Sequence, residues 1–487
     1  MYRRVLLIGI VFVLVAAGAI YAFLVPPAPL KVARANFVLA DVTVVNPGAE
    51  RLEHRDVAIR DGKIVSISSH AAASPEAAEY AGCFVLPGLI DMHVHHPIAW
   101  MSTDIKYFDL LHLAYGVTTV RDTGSVDGST FMTRKQIADG DFAGPRLFAC
   151  GPILDGDPPA WPGARVVHNA VEAEAAVDEI AARGADCIKV YSELSSDALA
   201  GARAGATKHH LALVGHVPFA VPIEDAHIDD VQHLTGVPGT PANAERLGLI
   251  GGMLEGWDTI DDARIGAVVR TSLDQKLVHT PTITVVQQIL RLRNYSELVN
   301  DPGAALLPRY YREFLWRPGD VASWSVPAID DRQAGEILTN FGKVVRRLHE
   351  AGVMLHVGTD TFNPFVVPGI SMHQELRNFV EAGFTPEQAL SAATRENGAA
   401  LPLPGLGLIR EDAPADVVVF AEDPTRDLAA LSSIRLVVAD GRPYPKRVLD
   451  DAVNRYHSFY GGWLCDRFTM LMFHLFGGLA NSGSHSH

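Results

Sequence analysis

The sequence predicts an α/β chain built around a (β/α)8 TIM barrel, with a small discontinuous β-sandwich domain assembled from both flanks. Three observations predict it. Through the centre, strand-like apolar runs alternate with helical ones about eight times, as parallel strands do when they close on themselves. On either side lie short runs with the alternation and Asp-Gly turns of antiparallel sheet. Side chains able to bind metal also fall repeatedly at the ends of the central strands, where a barrel gathers its site.

At 487 residues the chain is long enough for a barrel and a smaller domain. Arg3 and Arg4 precede an uncharged run from Val5 to Val25. As a helix that run would cross a bilayer, and it exceeds the apolar stretch of a secretory signal. We read residues 1–30 as an uncleaved transmembrane helix followed by a stiff linker at Pro26, Pro27 and Pro29. Basic residues tend to stay in the cytoplasm, which puts the catalytic body outside it, on the periplasmic or extracellular side.

Residues 31–86 and 402–449 are read together as the small β domain. The first part has Phe37–Ala40, Val57–Ile59 and Ile64–Ile67, the last two separated by Asp61-Gly62; the second has Asp416–Phe420 and Ile434–Val438 before Asp440-Gly441. Residues 87–401 form the predicted barrel. Its strands are Pro87–His95, Val117–Val120, Arg146–Ala149, Cys187–Val190, Leu211–Val214, Asp230–Gln232, Thr282–Val285 and Val353–Val357. The interval Gln287–Arg347 exceeds a barrel repeat, reads as helical, and carries Tyr310, Tyr311, Phe314 and Trp316 as a candidate lid. Residues 450–487 form an amphipathic tail that could lie on a membrane or dock on the body or a second subunit.

The net charge of −15 argues against a nucleic-acid partner, since no basic face is supplied for phosphates. A small-molecule substrate is expected, and a homo-oligomer is left open. Cys83, Cys150, Cys187 and Cys465 match no zinc or redox spacing; Cys150 and Cys187 sit in apolar runs, where a buried free thiol is expected, although an exported chain could oxidise a pair that sequence does not choose.

Asp91, His93 and His95 share one face of the first barrel strand, so two imidazoles two residues apart can reach one ion. Lys189 ends the fourth strand, His216 the fifth, His233 the sixth and Asp360 the eighth. Any one of these has an ordinary reading: a hydrogen-bonded core histidine, a buried ion pair for Lys189, a helix cap for Asp360. Their joint position at strand ends favours a site for zinc or a similar divalent ion. Arg121 and Asp122 read as an ion pair or a support to the ligands, with substrate contact a weaker reading for Arg121. Tyr191, on the Lys189 strand face, could assist a substrate carbonyl or simply pack. His96, His356 and His373 are taken as structural.

Several motifs resemble the amidohydrolase superfamily, in its imidazolonepropionase/prolidase-like branch. They are Pro87–His95, Gly116–Asp122, Gly144-Pro145-Arg146, Gly184–Val190, Gly215–Pro218, Gln232-His233, Gly358-Thr359-Asp360, Glu375-Leu376, Thr394, Gly407 and Ala415-Asp416. Together they cover roughly residues 31–445. The resemblance implies a binuclear centre, with zinc the expected metal. His93, His95 and Asp360 would hold one ion, His216 and His233 the other, and Lys189, carboxylated by carbon dioxide, would bridge them. It further implies hydrolysis of a C–N bond in an amide, dipeptide or cyclic amide by metal-activated hydroxide, with Asp360 as general acid and base. One departure is Gln232, where many relatives have Glu. The alternatives are a mononuclear deaminase, which needs no bridging Lys189, a lactonase or phosphotriesterase, and an inactive scaffold.

Overall fold

The computed structural model describes residues 25–71, 78–98, 101–125, 128–318 and 328–482, the side chains of 244–246 and 474–482 excepted. Both flanks of the chain contribute to one mixed sheet. Strands β1 (Phe37–Val45), β2 (Arg51–Arg60) and β3 (Lys63–Ser69) form a meander, and β4 (Phe84–Pro87) returns beside β1. The sheet is extended by three strands from the far end of the chain, β14 (Val417–Phe420), β15 (Ile434–Ala439) and β16 (Arg442–Pro445). The order is β16-β15-β14-β4-β1-β2-β3. Because β4 pairs with β1 on one edge and β14 on the other, hydrogen bonding is continuous across seven strands. The expected sandwich is therefore one sheet. Leu39, Val57, Ile64 and Val85 from one flank and Val417 and Leu436 from the other form its own core.

The barrel follows directly from β4. Its strands are β5 (Leu89–Val94), β6 (Val117–Asp122), β7 (Arg146–Ala149), β10 (Cys187–Val190), β11 (Ala212–Gly215), β12 (Asp230–Gln232) and β13 (Val278–Thr280). A short pair, β8 (Leu154–Asp155) and β9 (Arg165–Val166), rides on the end of β10 through Leu154 and Val190. All barrel pairings are parallel, as helical crossovers require. The eighth position is filled by the stretch at Leu355–Thr361, which bridges β13 at His279 and β5 at Val94. There the Met92 N–H donates to the Val357 carbonyl (3.0 Å) and the Asp360 N–H to the His93 carbonyl (2.7 Å). Between β7 and β10 there is no ladder. The Asp186 N–H donates to the Ala149 carbonyl (2.9 Å), the Asp186 carboxylate accepts from the Ala149 N–H (2.8 Å), and Cys150 and Cys187 form a disulfide.

That disulfide corrects the expectation of free thiols. Residues 37 apart in sequence become neighbours only when the barrel closes. The seventh strand is also displaced from its expected place. The β-branched run at Thr282–Val285 is the start of a helix, Ile283–Arg291, and the strand precedes it at Val278–Thr280. Glu375 causes this locally. Its carboxylate accepts from the Ile283 N–H (2.8 Å) and the Thr284 N–H (2.7 Å), supplying from another element the cap that β-branched residues lack.

The expected Val5–Val25 anchor lies, Val25 apart, outside the described residues; among the described residues no helix is long and apolar enough to cross a membrane. The tail begins as part of the body. Tyr456 and Tyr460 of the helix Lys446–Gly461 are buried against Tyr107 of the barrel helix Ser102–Ala114. A second helix, Trp463–Ser482, follows; its Phe473 stacks on Tyr310, and its Asp466 pairs with Arg309 (3.0 Å).

Candidate metal centre

The ends of the barrel strands bring the predicted ligands together. His93 and His95 leave β5 with their Nε2 atoms 3.3 Å apart, each close to Asp360 Oδ1, at 3.3 and 3.2 Å. His233 Nε2 stands 3.8 Å from Asp360 Oδ2. The ligand atoms of His93, His233 and Asp360 all lie within 4.8 Å of one another. His216 packs on this group, its ring 4.8 Å from that of His233 and 4.0 Å from that of Tyr191. Lys189 is fully buried beneath them, and its Nζ donates to Gln232 Oε1.

Backbone geometry helps place these side chains. His233 (φ 57°) and Asp360 (φ 63°) are in the left-handed region that ordinary residues avoid, a conformation held at functional sites by surrounding structure. Gly215 precedes His216 at φ +143°, where a Cβ would lie 2.0 Å from the Val190 carbonyl oxygen, so only glycine lets β11 run this close to the Lys189 strand.

Hydrogen bonds fix the direction in which the imidazoles present their lone pairs. His95 Nδ1 lies 2.8 Å from the Gly124 carbonyl, which can only accept, so Nδ1 carries a proton and Nε2 is the nitrogen turned to Asp360. Thr282 Oγ1 donates to the Pro281 carbonyl (2.7 Å), so it accepts from His233 Nδ1 (2.6 Å), and His233 Nε2 is likewise the nitrogen turned to Asp360. His95 Nε2 and Asp360 Oδ1 then face each other across 3.2 Å. A proton or a cation has to sit between them. Asp360 Oδ1 and His93 Nδ1 have no hydrogen-bond partner although both are buried. This donor set, imidazole nitrogens plus a carboxylate with outer partners fixing the ring orientation, fits a divalent ion of the zinc kind.

Electrostatics agree. Burial, then the charge of Lys189, holds His93 and His216 well below the ordinary histidine range; burial lowers His233 to about 4. All three rings are neutral near pH 7, as ligation requires. Burial brings Lys189 down to about 7, against the opposing pull of Asp360. Burial alone would raise Asp360, but His233, His95 and Lys189 together hold its carboxyl below the usual range.

Arg121 has a different place from the one expected. Its Nε donates to the Met92 carbonyl (2.8 Å) and its guanidinium pairs with Asp230, which also meets His356 Nδ1 (3.1 Å). The ion pair spans the barrel interior, which removes Arg121 from substrate contact and from pairing with Asp122. Asp122 instead binds His96 (3.0 Å), and with Asp109 raises that ring to about 10 despite its burial. His96, His356 and His373 are structural, the last bonded to the Tyr115 carbonyl (2.8 Å).

A cavity of about 180 Å³ opens over the ligands, lined by His95, His216, His233, Asp360 and Tyr191 on its floor. The aromatic centre of the Gln287–Arg347 insertion is not its lid. Tyr310 and Tyr311 turn away to donate to Asp104 Oδ2 (2.6 and 3.0 Å), and Trp316 packs near Phe362 and Phe365. The roof comes from Trp161, from Leu254 and Trp257 at the end of the helix Ala244–Leu254, and from Phe341. The helix was missed in the sequence, because its apolar residues look like ordinary core. Also missed were Gly124, Ser192 and Thr282, which orient the histidines through a carbonyl and two hydroxyls.

A sequence profile of the amidohydrolase family matches residues 333–443, the stretch that contains Asp360 and returns to the sheet. Among curated proteins, N-acetylglucosamine-6-phosphate deacetylase of Lysinibacillus sphaericus is 36% identical over 100 residues, 20% of this chain and only 25% of the deacetylase. Among solved structures, bottromycin amidohydrolase superposes with a TM-score of 0.66 at 21% identity, covering 92% of this chain and 95% of that one. A Xaa-Pro dipeptidase with bound methionine in the active site gives 0.61 at 19%, covering 84% and 100%. At such identities the structural likeness speaks for the barrel-containing fold. The matched profile and the deacetylase stretch add a sequence similarity to amidohydrolases that is confined to part of the chain.

Proposed function

We propose that the protein is a membrane-tethered, metal-dependent hydrolase of a C–N bond, in an amide, dipeptide or cyclic amide. The carrying observation is the convergence of imidazole nitrogens from His93, His95 and His233 on the buried carboxylate of Asp360. The deacetylase, amidohydrolase and dipeptidase that the chain resembles are, by their names, hydrolases of this kind.

In this reading His93, His95 and Asp360 hold one ion, His216 and His233 a second, and Lys189 joins them. Divalent ions bound there would supply the positive charge that acidifies a water and polarises a carbonyl. Lys189 is prepared by burial beside a neutral residue. Burial brings it down to about 7 against the pull of Asp360, so the free amine can add to carbon dioxide, form an N–C bond and release a proton, becoming an anionic ligand. Asp360, anionic at neutral pH, takes a proton from water and returns it to the leaving nitrogen. Tyr191, kept protonated by burial, is a donor for a substrate carbonyl.

Tethering is supported by the Val5–Val25 run and by what adjoins it. Tyr456 donates to the Pro27 carbonyl (3.4 Å), so the linker leaves the body beside the C-terminal helices. On the helix that follows, Trp463, Phe468 and Leu471 are 70%, 48% and 57% exposed. The Cys150–Cys187 disulfide suits a catalytic body outside the cytoplasm.

The test is metal content per full-length chain in detergent, prepared with zinc and bicarbonate, beside Lys189→Ala. Two ions in the parent and a loss in the variant are expected. One ion, unchanged by the substitution, would move the assignment to a mononuclear deaminase; none in folded protein would overturn it.

A further inference from the structure

Above its ligand floor the cavity is apolar. Trp161, Leu254, Trp257, Val285, Ile289 and Phe341 face it, and no lysine or arginine is among the described residues that line it. The cations closest in role are already engaged in the barrel interior: Arg121 is paired with Asp230, and Lys189 donates to Gln232. Asn363, the one uncharged amide in the lining, donates to the Asp360 carbonyl (3.1 Å). A carboxylate brought against this wall would lose its water and find no side chain of positive charge to replace it. The volume, about 180 Å³, also limits what enters. A dry apolar cavity of about 150 Å³ holds benzene.

We infer that the substrate is a neutral amide carrying one phenyl- or isobutyl-sized apolar group beside the scissile C–N bond, and that α-carboxylates are selected against. The inference rests on the hydrolase reading for its chemistry and on the lining for its specificity. Water supplies the hydroxyl that joins the acyl carbon, the C–N bond breaks, and the amine leaves with a proton. Free dipeptides and N-acyl amino acids therefore fall outside the preferred class.

A matched pair tests this: N-acetyl-2-phenylethylamine and N-acetylphenylalanine share the acetyl C–N bond and the phenyl group and differ by one carboxylate. Both kcat/KM and the dissociation constant, by calorimetry, are measured on the full-length, zinc-loaded chain in detergent. The neutral compound is expected to be favoured roughly 10- to 100-fold in both quantities. Met253 lines the cavity and is half-buried, so a cation there can stay solvated. Met253→Arg, with metal content unchanged as the control for folding, should narrow or reverse the preference. If neither compound is cleaved but the neutral one binds at least tenfold tighter, the hydrolase reading fails and the specificity stands. Equal or tighter binding of the acid, or no binding of either, overturns the inference.

Discussion

At the scale of single residues, the site depends on which atoms face one another across a few ångströms. Asp360 meets one imidazole nitrogen from the end of β5 and a second from the end of β12. Asp360→Asn keeps the shape but loses the proton acceptor. It should reduce kcat by two or more orders of magnitude while the metal:protein ratio stays within a factor of about two, measured by elemental analysis beside a turnover assay. A second prediction concerns buried histidines away from the ligands. His279 and His373 are lowered to about 4 and His112 to about 3, in each case first by burial. The unfolded chain binds these protons near pH 6.5 and the folded chain does not, so their contribution is full above about 6.5 and is lost as pH falls towards about 4. The urea midpoint should drop over that interval, and His279→Gln should make the decline shallower by roughly 1–3 kcal/mol across the window. An unchanged slope would remove His279 from the account. The clustering of these side chains was legible because each ends an apolar run with a polar residue, and His93 and His95 share a strand face. Arg121 was misread because its partner, Asp230, is distant in sequence and adjacent only inside the closed barrel.

At the scale of elements, two junctions hold the chain together where periodic structure does not. One is the seam between β7 and β10, where the Cys150–Cys187 disulfide substitutes for a ladder. The double variant Cys150→Ser/Cys187→Ser should lose about 2–4 kcal/mol in denaturant unfolding. A loss under about 0.5 kcal/mol would mean that the backbone bonds at Asp186 suffice. The other junction is Asp104, a buried carboxylate that accepts hydroxyls from Tyr310 and Tyr311 of the insertion and Tyr460 of the C-terminal helix. Asp104→Asn turns one acceptor into a donor, and should cost about 1–3 kcal/mol and speed proteolysis of residues 303–318 with metal content retained. Neither junction could be found from sequence. A cysteine pair and a three-tyrosine clamp are properties of assembled elements, and the insertion's aromatics look the same whether they cover a site or anchor a helix. The Thr282–Val285 run shows the same limit, since its β-branched residues give way to a cap from Glu375, 91 positions away for Thr284.

At the scale of the molecule, the sheet and barrel were legible because both obey simple periodicities, two-residue alternation at the flanks and strand–helix alternation between them. The depth of the seven-stranded sheet was not, because continuity through β4 depends on which edges meet. The linker at Pro27 meets Tyr456 of the helix that precedes the exposed Trp463, Phe468 and Leu471, so on the proposed tether a bilayer should also meet Trp463. In vesicles containing brominated phosphatidylcholine, tryptophan quenching should be substantially smaller for Trp463→Phe than for the parent chain; equal quenching would separate this face from the membrane. A closed barrel bears load as a hoop does, and this hoop is riveted rather than woven at one place. The rivet sits two residues from Lys189, on the same strand. With both sulfurs buried, a thiol reductant reaches the rivet only when the ring opens, so the rate of its reduction would report how often the strand that carries the lysine comes loose.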